Sequence, residues 1–194
     1  MIRALTLLTL LTSAGCASVS APAHPADQLW SAIQPLCGKA FEGQLTEGTE
    51  PSDAAFGKER LLMHVRDCTH DEIRIPFHVG EDRSRTWVLS RLTSGVRLKH
   101  DHRHEDGSED RVTQYGGDTQ IASASRALDF HADEFTAKLI PAATTNIWTI
   151  GIDADGRSFT YGLRREAQGR RFQVTFDLTR PVPIPPPRPY LSRH

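Results

Sequence analysis

The sequence lacks the short motifs by which catalytic sites are most readily recognised. It has no Gly-x-Ser-x-Gly elbow, no His-Glu-x-x-His pair, no Cys-x-x-Cys motif and no glycine-rich phosphate-binding loop. It also has no internal repeat. Serine, histidine and aspartate are all present, so catalysis by residues that only the fold brings together stays open. The sequence favours no reaction, and leans against an enzyme.

An excess of charge of either sign is also lacking. The 23 lysine and arginine residues almost balance the 24 acidic residues, for a net charge of −1. A nucleic-acid partner would call for a basic surface, so the sequence argues against nucleic-acid binding. The 194 residues, 38% of them hydrophobic, suffice for one domain with a hydrophobic core.

Cysteine is scarce, and the first of the three cysteines ends a segment of the signal-peptide type. Residues 1–3 form a positive head, and residues 4–12 form an apolar run too short to span a bilayer. Ser13, Ala14 and Gly15 then precede Cys16, which resembles the lipobox of bacterial lipoproteins. The resemblance implies a signal peptide over residues 1–15, lipidation of Cys16 and attachment to the membrane through that lipid anchor.

The residues around this cysteine refine the expected location. Ser13 departs from the family, which usually has leucine there. Ala17 is not the aspartate that marks retention in the inner membrane, so the resemblance implies an outer-membrane lipoprotein that faces the periplasm. The alternative is a secreted or soluble periplasmic protein cleaved after Ala21. Residues 16–26 are small and contain proline, which predicts a lipidated tether with His24 exposed to solvent.

Export also bears on the other two cysteines, Cys37 and Cys68. Two thiols in an oxidising compartment most often pair, which predicts a disulfide. The alternative is two buried free thiols. The bridge would close a loop of about thirty residues and stabilise the domain by roughly 3–4 kcal/mol.

A domain is expected over residues 27–180, beginning with a helix. Apolar residues recur at helical spacing from Leu29, Asp27 can cap the start, Pro35 shortens or distorts the last turn, and Gly38 can end it. Residues 132–139 predict a second, short helix, and Gly116-Gly117 predicts a break. Period-two segments predict strands at residues 41–45, 61–65, 73–79, 86–92, 96–104, 111–115, 126–130, 146–152, 158–164 and 171–178.

These elements predict an all-β, mainly antiparallel barrel or sandwich with one N-terminal helix and one short later helix. The helix that leads into Phe41-Glu42-Gly43-Gln44, followed by a ladder of hairpins, looks like the lipocalin-like (calycin) plan. That resemblance covers strand order alone, and no residue motif carries over a ligand site. Pro76 is expected at a sheet edge or bulge. Residues 181–194 are expected to form a proline-rich tail that cannot join the sheet interior.

Three histidines give the sequence its sharpest candidate for chemistry. His100, His102 and His104 alternate along one strand, so their side chains share a face and lie about 6–7 Å apart. Without a bulge they point toward the barrel interior and could bind zinc or another divalent transition metal. The alternative is a polar hairpin wetted by solvent, which is also the expectation for His64 and His78.

Three functional hypotheses follow. The first is a binding module for a small, apolar molecule or an envelope component. The second is a metal-binding protein or metalloenzyme that uses the three histidines. The third is a structural envelope lipoprotein without a ligand. The aromatic residues expected to line or plug the interior of the binding module include Trp87, Trp148, Tyr161 and Phe176.

Overall fold

The computed structural model describes residue 24 and residues 26–119 and 126–187. The predicted signal peptide, Cys16 and most of the predicted tether lie outside the described residues, as does the end of the tail. Two α-helices are described, α1 at Asp27–Ile33 and α2 at Glu134–Leu139. Short 3₁₀ helices lie at Gln34–Leu36, Pro51–Lys58, Pro141–Ala143 and Glu166–Gln168.

Eleven strands make up the single sheet of the described residues, and all their pairings are antiparallel. In chain order they are β1 Ala40–Gly48, β2 Leu61–His64, β3 Asp67–Cys68, β4 Glu72–Val79, β5 Asp82–Leu92, β6 Gly95–His102, β7 Tyr115–Asp118, β8 Ala127–Ala132, β9 Ile147–Ile152, β10 Ser158–Arg165 and β11 Arg170–Val182.

Ten of these strands close into a barrel. The sheet order is β2-β1-β11-β10-β9-β8-β7-β6-β5-β4-β3, and β2 also pairs with β4, which joins the two sides. The closing ladder matches Leu61 with Val79 and Met63 with Phe77. β3 pairs only with β4 and lies outside the ring. The predicted all-β, lipocalin-like class with one early and one short later helix is confirmed.

The predicted break at Gly116-Gly117 is wrong, because both glycines lie within β7. A Cβ on Gly116 would lie 2.0 Å from the carbonyl oxygen of Leu98, and one on Gly117 would lie 1.6 Å from that of His131. Glycine is present because the neighbouring backbones leave no room for a side chain. The predicted strand at residues 111–115, just before these glycines, is also wrong, because only Tyr115 of that range belongs to a strand.

Pro76 occupies a gap in the ladder, as its missing amide requires. On one side β4 pairs with β5 throughout, with Pro76 opposite Thr86. On the other side β4 pairs with β3 up to Arg74 and with β2 only from Phe77. Pro76 lies between the two partners, and a register shift follows at His78. The expectation of an edge or bulge is confirmed.

Helix α1 closes one end of the barrel, here called the closed end. It buries Leu29, Trp30 and Ile33, and the 3₁₀ turn around Pro35 follows it. The expectation that Pro35 shortens the helix is confirmed. Asp27 is not the N-cap, because the helix begins at that residue and its carboxylate instead forms an ion pair with Arg91 at 2.9 Å.

His24 is not the exposed tether residue that the sequence predicts. Its Nε2 lies 2.6 Å from the carbonyl oxygen of Leu92, its backbone amide donates to the Asp27 carboxylate at 2.8 Å, and its side chain is half-buried. Residue 24 therefore lies against the closed end of the barrel.

The proline-rich tail starts inside the sheet and then crosses the outside of the barrel. Val182 and Pro181 pair with Ala40 and Phe41 of β1, beyond the last residue of β11 that β10 reaches. Pro181 is tolerated because one side of β11 is unpaired there. The tail was expected to begin at residue 181, but β11 continues for two more residues, to Val182.

The tail explains why two histidines expected in solvent are covered. Residues Ile184–Pro187 lie beside His64 and His78 on the outer face of β2 and β4. His78 is 5% exposed and His64 is half-buried, so the expectation of solvated side chains is wrong. Burial, assisted by the charge of Arg66, lowers the pKa of His64.

The disulfide between Cys37 and Cys68 is confirmed. It links the residue after the 3₁₀ turn of the N-terminal helical segment to β3, with a Cα–Cα distance of 6.2 Å across 31 residues of sequence. β3 has only two paired residues. The bridge therefore holds both the helical cap and this short strand against the barrel.

Replacing both cysteines by serine (Cys37→Ser, Cys68→Ser) should lower the free energy of unfolding by about 3–4 kcal/mol, because the unfolded chain loses its cross-link. Urea unfolding of the oxidised protein and the variant measures this difference. The wild type treated with reductant serves as the control and should unfold like the variant. Equal midpoints for the oxidised and reduced wild type would contradict a stabilising bridge.

Candidate binding cleft

A cleft opens at the barrel end opposite α1, here called the mouth, where β6 ends at His102 and β10 at Arg165. Its volume is about 540 Å³. The side chains that line it come from the ends of β6, β7, β9 and β10, from the loop before β7 and from the segment after α2. They are His102, Asp110, Val112, Tyr115, Ile140, Ala142, Ala143, Asn146, Trp148, Tyr161, Leu163 and Arg165.

The segment after α2 forms one wall of this cleft, and β7 holds the helix in place. Asp133 caps α2 by accepting a hydrogen bond from the backbone amide of Thr136 at 2.8 Å. The Thr136 hydroxyl donates to the carbonyl oxygen of Gly116 at 2.8 Å and accepts from its amide at 2.7 Å. These two hydrogen bonds anchor α2 to β7, and the chain that follows the helix places Ile140 at the cleft.

A second helical segment covers another part of the mouth. In the 3₁₀ helix Pro51–Lys58, the ring of Phe56 packs edge-on against Phe172 with 5.0 Å between centroids. The same helix carries Asp53, whose buried carboxylate accepts from the guanidinium of Arg170 at 2.7 Å. This ion pair is nearly inaccessible to solvent, and removing one partner would leave a buried charge.

The four aromatic residues predicted to bind a ligand divide into two groups. Trp148 and Tyr161 line the cleft. Trp87 lies deeper, stacked 4.3 Å from Tyr161 and 4.7 Å from Phe77 between centroids, and Phe176 packs edge-on against it at 6.1 Å. The structure places Trp87 and Phe176 in the packed interior of the barrel, where both are almost completely buried.

A polar contact lies within this aromatic interior, between Tyr161 and His100. The Tyr161 hydroxyl lies 2.8 Å from Nε2 of His100, and Nδ1 of His100 lies 3.1 Å from the carbonyl oxygen of Tyr115. A carbonyl oxygen can only accept, so Nδ1 carries the proton. Nε2 of the neutral ring then accepts, and the Tyr161 hydroxyl donates to it.

Burial keeps both partners uncharged. Desolvation lowers the pKa of His100 to about 3, against the smaller raising effect of its hydrogen bond to the Tyr115 carbonyl. Desolvation also raises the pKa of Tyr161 well above its usual value, although hydrogen bonds from Trp87 and Trp148 lower it in part. The pair is a satisfied, neutral element of the core, and it fixes the orientation of the Tyr161 ring at the base of the cleft.

The three histidines of the predicted metal site have three different surroundings. His100 is 3% exposed and both of its ring nitrogens have protein partners. His102 is half-buried at the mouth, with Nε2 3.2 Å from the Tyr115 hydroxyl. His104 is exposed in the turn after β6. Within the described residues, no group of three or more His, Cys, Asp or Glu side chains is placed to hold a metal ion.

Tyr115 connects these histidines to the cleft. Its ring stacks on His100 with 4.5 Å between centroids, and burial raises its pKa to about 12. Asn146 and Arg165, the two polar residues of the β9–β10 end, were missed, because nothing in their local sequence distinguishes them from other polar residues.

The neutral state of His100 gives a testable pH dependence. The unfolded chain takes up a proton at this histidine near pH 6.5, whereas the folded protein does so only near pH 3. His100 therefore contributes no pH dependence above 6.5, and below it the free energy of unfolding should fall by about 1.4 kcal/mol per pH unit.

Chemical unfolding between pH 7 and pH 5 measures this slope for the wild type and for His100→Gln, whose amide does not titrate. The difference between the two slopes isolates His100 from the other groups. Identical slopes would show that His100 does not stay neutral in the folded protein.

A search of models of known protein families finds none that matches this chain, and a search of curated proteins finds no significant match. Among the helices of the described residues, none is both long and apolar enough to cross a membrane.

Proposed function

We propose that the protein is a binding module that holds a small, largely apolar molecule in the cleft at the barrel mouth. The observation that carries this proposal is the open space between Trp148, Tyr161 and Leu163, at the end of an otherwise packed barrel. Its volume of about 540 Å³ lies within the range of ligand sites, roughly 300–1,000 Å³. Aliphatic and aromatic walls with a few polar groups are the composition such sites share.

The packed interior limits where a ligand can lie. Phe77, Trp87, Phe159 and Phe176 contact one another, with ring centroids 4.7–6.2 Å apart. This packing supports the alternative of a ligand-free structural protein for the deep part of the barrel. The cleft at the mouth supports binding there, so the ligand is expected to sit against Trp148 and Tyr161 rather than inside the barrel.

We further propose that Cys16 carries a lipid anchor and places the barrel in the cell envelope, facing the periplasm at the outer membrane. The position of His24 supports this arrangement, because its contact with Leu92 places residue 24 at the closed end. If the membrane anchor joins the barrel at that end, the mouth at the opposite end stays open to a ligand.

The cleft can be tested by filling it. Leu163→Trp should reduce binding of the neutral fluorescent probe N-phenyl-1-naphthylamine at least tenfold, because the larger ring occupies the space beside Trp148. Fluorescence titration of the probe measures the change. Leu36→Trp, at the closed end, adds the same ring away from the cleft and should leave binding unchanged. A wild type that binds no probe, or equal binding by both variants, would contradict the proposed site.

The anchor can be tested in the bacterial cell. Labelled palmitate should enter the wild-type protein and not Cys16→Ala, because the thiol of Cys16 is the acceptor of the diacylglyceryl group in lipoproteins. Cys16→Ala should also keep its signal peptide uncleaved at that bond. A wild-type N-terminus at Pro22 would instead establish ordinary secretion.

A further inference from the structure

Two residues that line the cleft each have a buried polar atom with no hydrogen-bond partner among the described residues. The two atoms are Oδ1 of Asn146, an acceptor, and Nε of Arg165, a donor, and both are shielded from solvent. Asn146 as a whole is 8% exposed. Buried polar groups without partners cost free energy and are uncommon in folded proteins, so a pair of them in one cleft requires a reason.

The strand register brings the two residues together. Ile147 of β9 pairs with Arg164 of β10 at the last step of the ladder, so the next residues outward, Asn146 and Arg165, lie opposite each other. Because alternate residues of a strand share a face, they lie on the same inner face as the paired residues Trp148 and Leu163. Opposite residues of neighbouring strands have Cβ atoms about 4.5–5.5 Å apart. An acceptor and a donor therefore adjoin an aromatic and aliphatic wall.

The charge of Arg165 is already balanced. One terminal nitrogen of its guanidinium donates to the Glu50 carboxylate at 3.2 Å, and the other donates to the carbonyl oxygen of Ala142 at 3.3 Å. The cleft also includes the carboxylate of Asp110. A charged ligand group would therefore be buried without a counter-charge of its own, which is unfavourable. The ligand group that complements this end of the cleft is uncharged.

We propose that the cleft selects an uncharged, planar aromatic molecule that carries a carboxamide-like group. Its N–H donates to Oδ1 of Asn146, its carbonyl oxygen accepts from Nε of Arg165, and its ring lies against Trp148 and Leu163. Oδ1 of Asn146 makes no hydrogen bond with the described residues, so turning it toward the ligand breaks none, whereas Arg165 offers its Nε while its two terminal nitrogens keep their bonds to Ala142 and Glu50. This inference rests on the proposed binding function and specifies the chemical class of the ligand.

Three probes with the same ring system separate the alternatives: 2-naphthamide has a donor and an acceptor, 2-acetonaphthone only an acceptor, and 2-naphthoate a negative charge. Titration calorimetry with the purified protein should show naphthamide binding at least tenfold tighter than acetonaphthone, and naphthoate binding weakest. If all three bind equally, or naphthoate binds best, the proposed ligand class is wrong while the cleft still binds. If none binds, the binding function itself fails.

The variant Asn146→Leu keeps the side-chain size and removes the acceptor. It should weaken naphthamide binding about tenfold and leave acetonaphthone binding unchanged, because only the amide has a donor for Oδ1. The melting temperature of the ligand-free variant should not fall, since Leu removes an unpaired buried atom. Gln34→Leu, which also replaces a side-chain amide by leucine but at the closed end, is the control. Equal loss of both probes, or no loss of naphthamide binding, would overturn the role of Asn146.

Discussion

The pairing of β2 with β4 is the interaction on which the rest of the structure depends. Three residue pairs, from Leu61 opposite Val79 to Met63 opposite Phe77, turn an open sheet into a closed barrel. A closed barrel has no long free edge, and its inward side chains form one core. The edges that remain are short, since β3 pairs two residues and the unpaired side of β11 carries Pro181. Closure also sets the two ends, of which α1 covers one and leaves the mouth at the other.

Closure excludes water from the interior, so a polar side chain placed there must form its hydrogen bonds with other groups of the protein. The inward-facing side chains of β6 are Val96, Leu98 and then His100. From the alternation in the sequence alone, His100 could belong either to a metal site or to a hairpin exposed to solvent. Tyr161 and the Tyr115 carbonyl satisfy both nitrogens of that ring instead. The first histidine of the alternating row is therefore a core residue, and the row changes character from core to solvent within four residues.

Features encoded by local pattern were predictable, and features that depend on distant parts of the chain were not. The helix follows from the spacing of apolar residues, most strands follow from alternation, and the disulfide was predicted from the expectation of export. The glycines Gly116 and Gly117 indicate a break by local preference, yet the approach of neighbouring backbones requires them within a strand. His78 is covered by a tail more than a hundred residues later in the sequence. Asn146 and Arg165 meet only through the β9–β10 register, which the sequence does not specify at that end.

The distribution of hydrogen bonds distinguishes the interior of the barrel from its mouth. Around Tyr161 the interior is satisfied within the protein, because the hydroxyl donates to His100 and both ring nitrogens of that histidine have protein partners. At the mouth, one residue pair beyond Trp148, an acceptor and a donor have no partner in the part of the chain that the structure describes. An apolar wall bordered by unpaired polar atoms has the composition of a site that binds a small molecule. The same strands thus supply a rigid, satisfied base and, one step further along, the polar groups that a ligand can use.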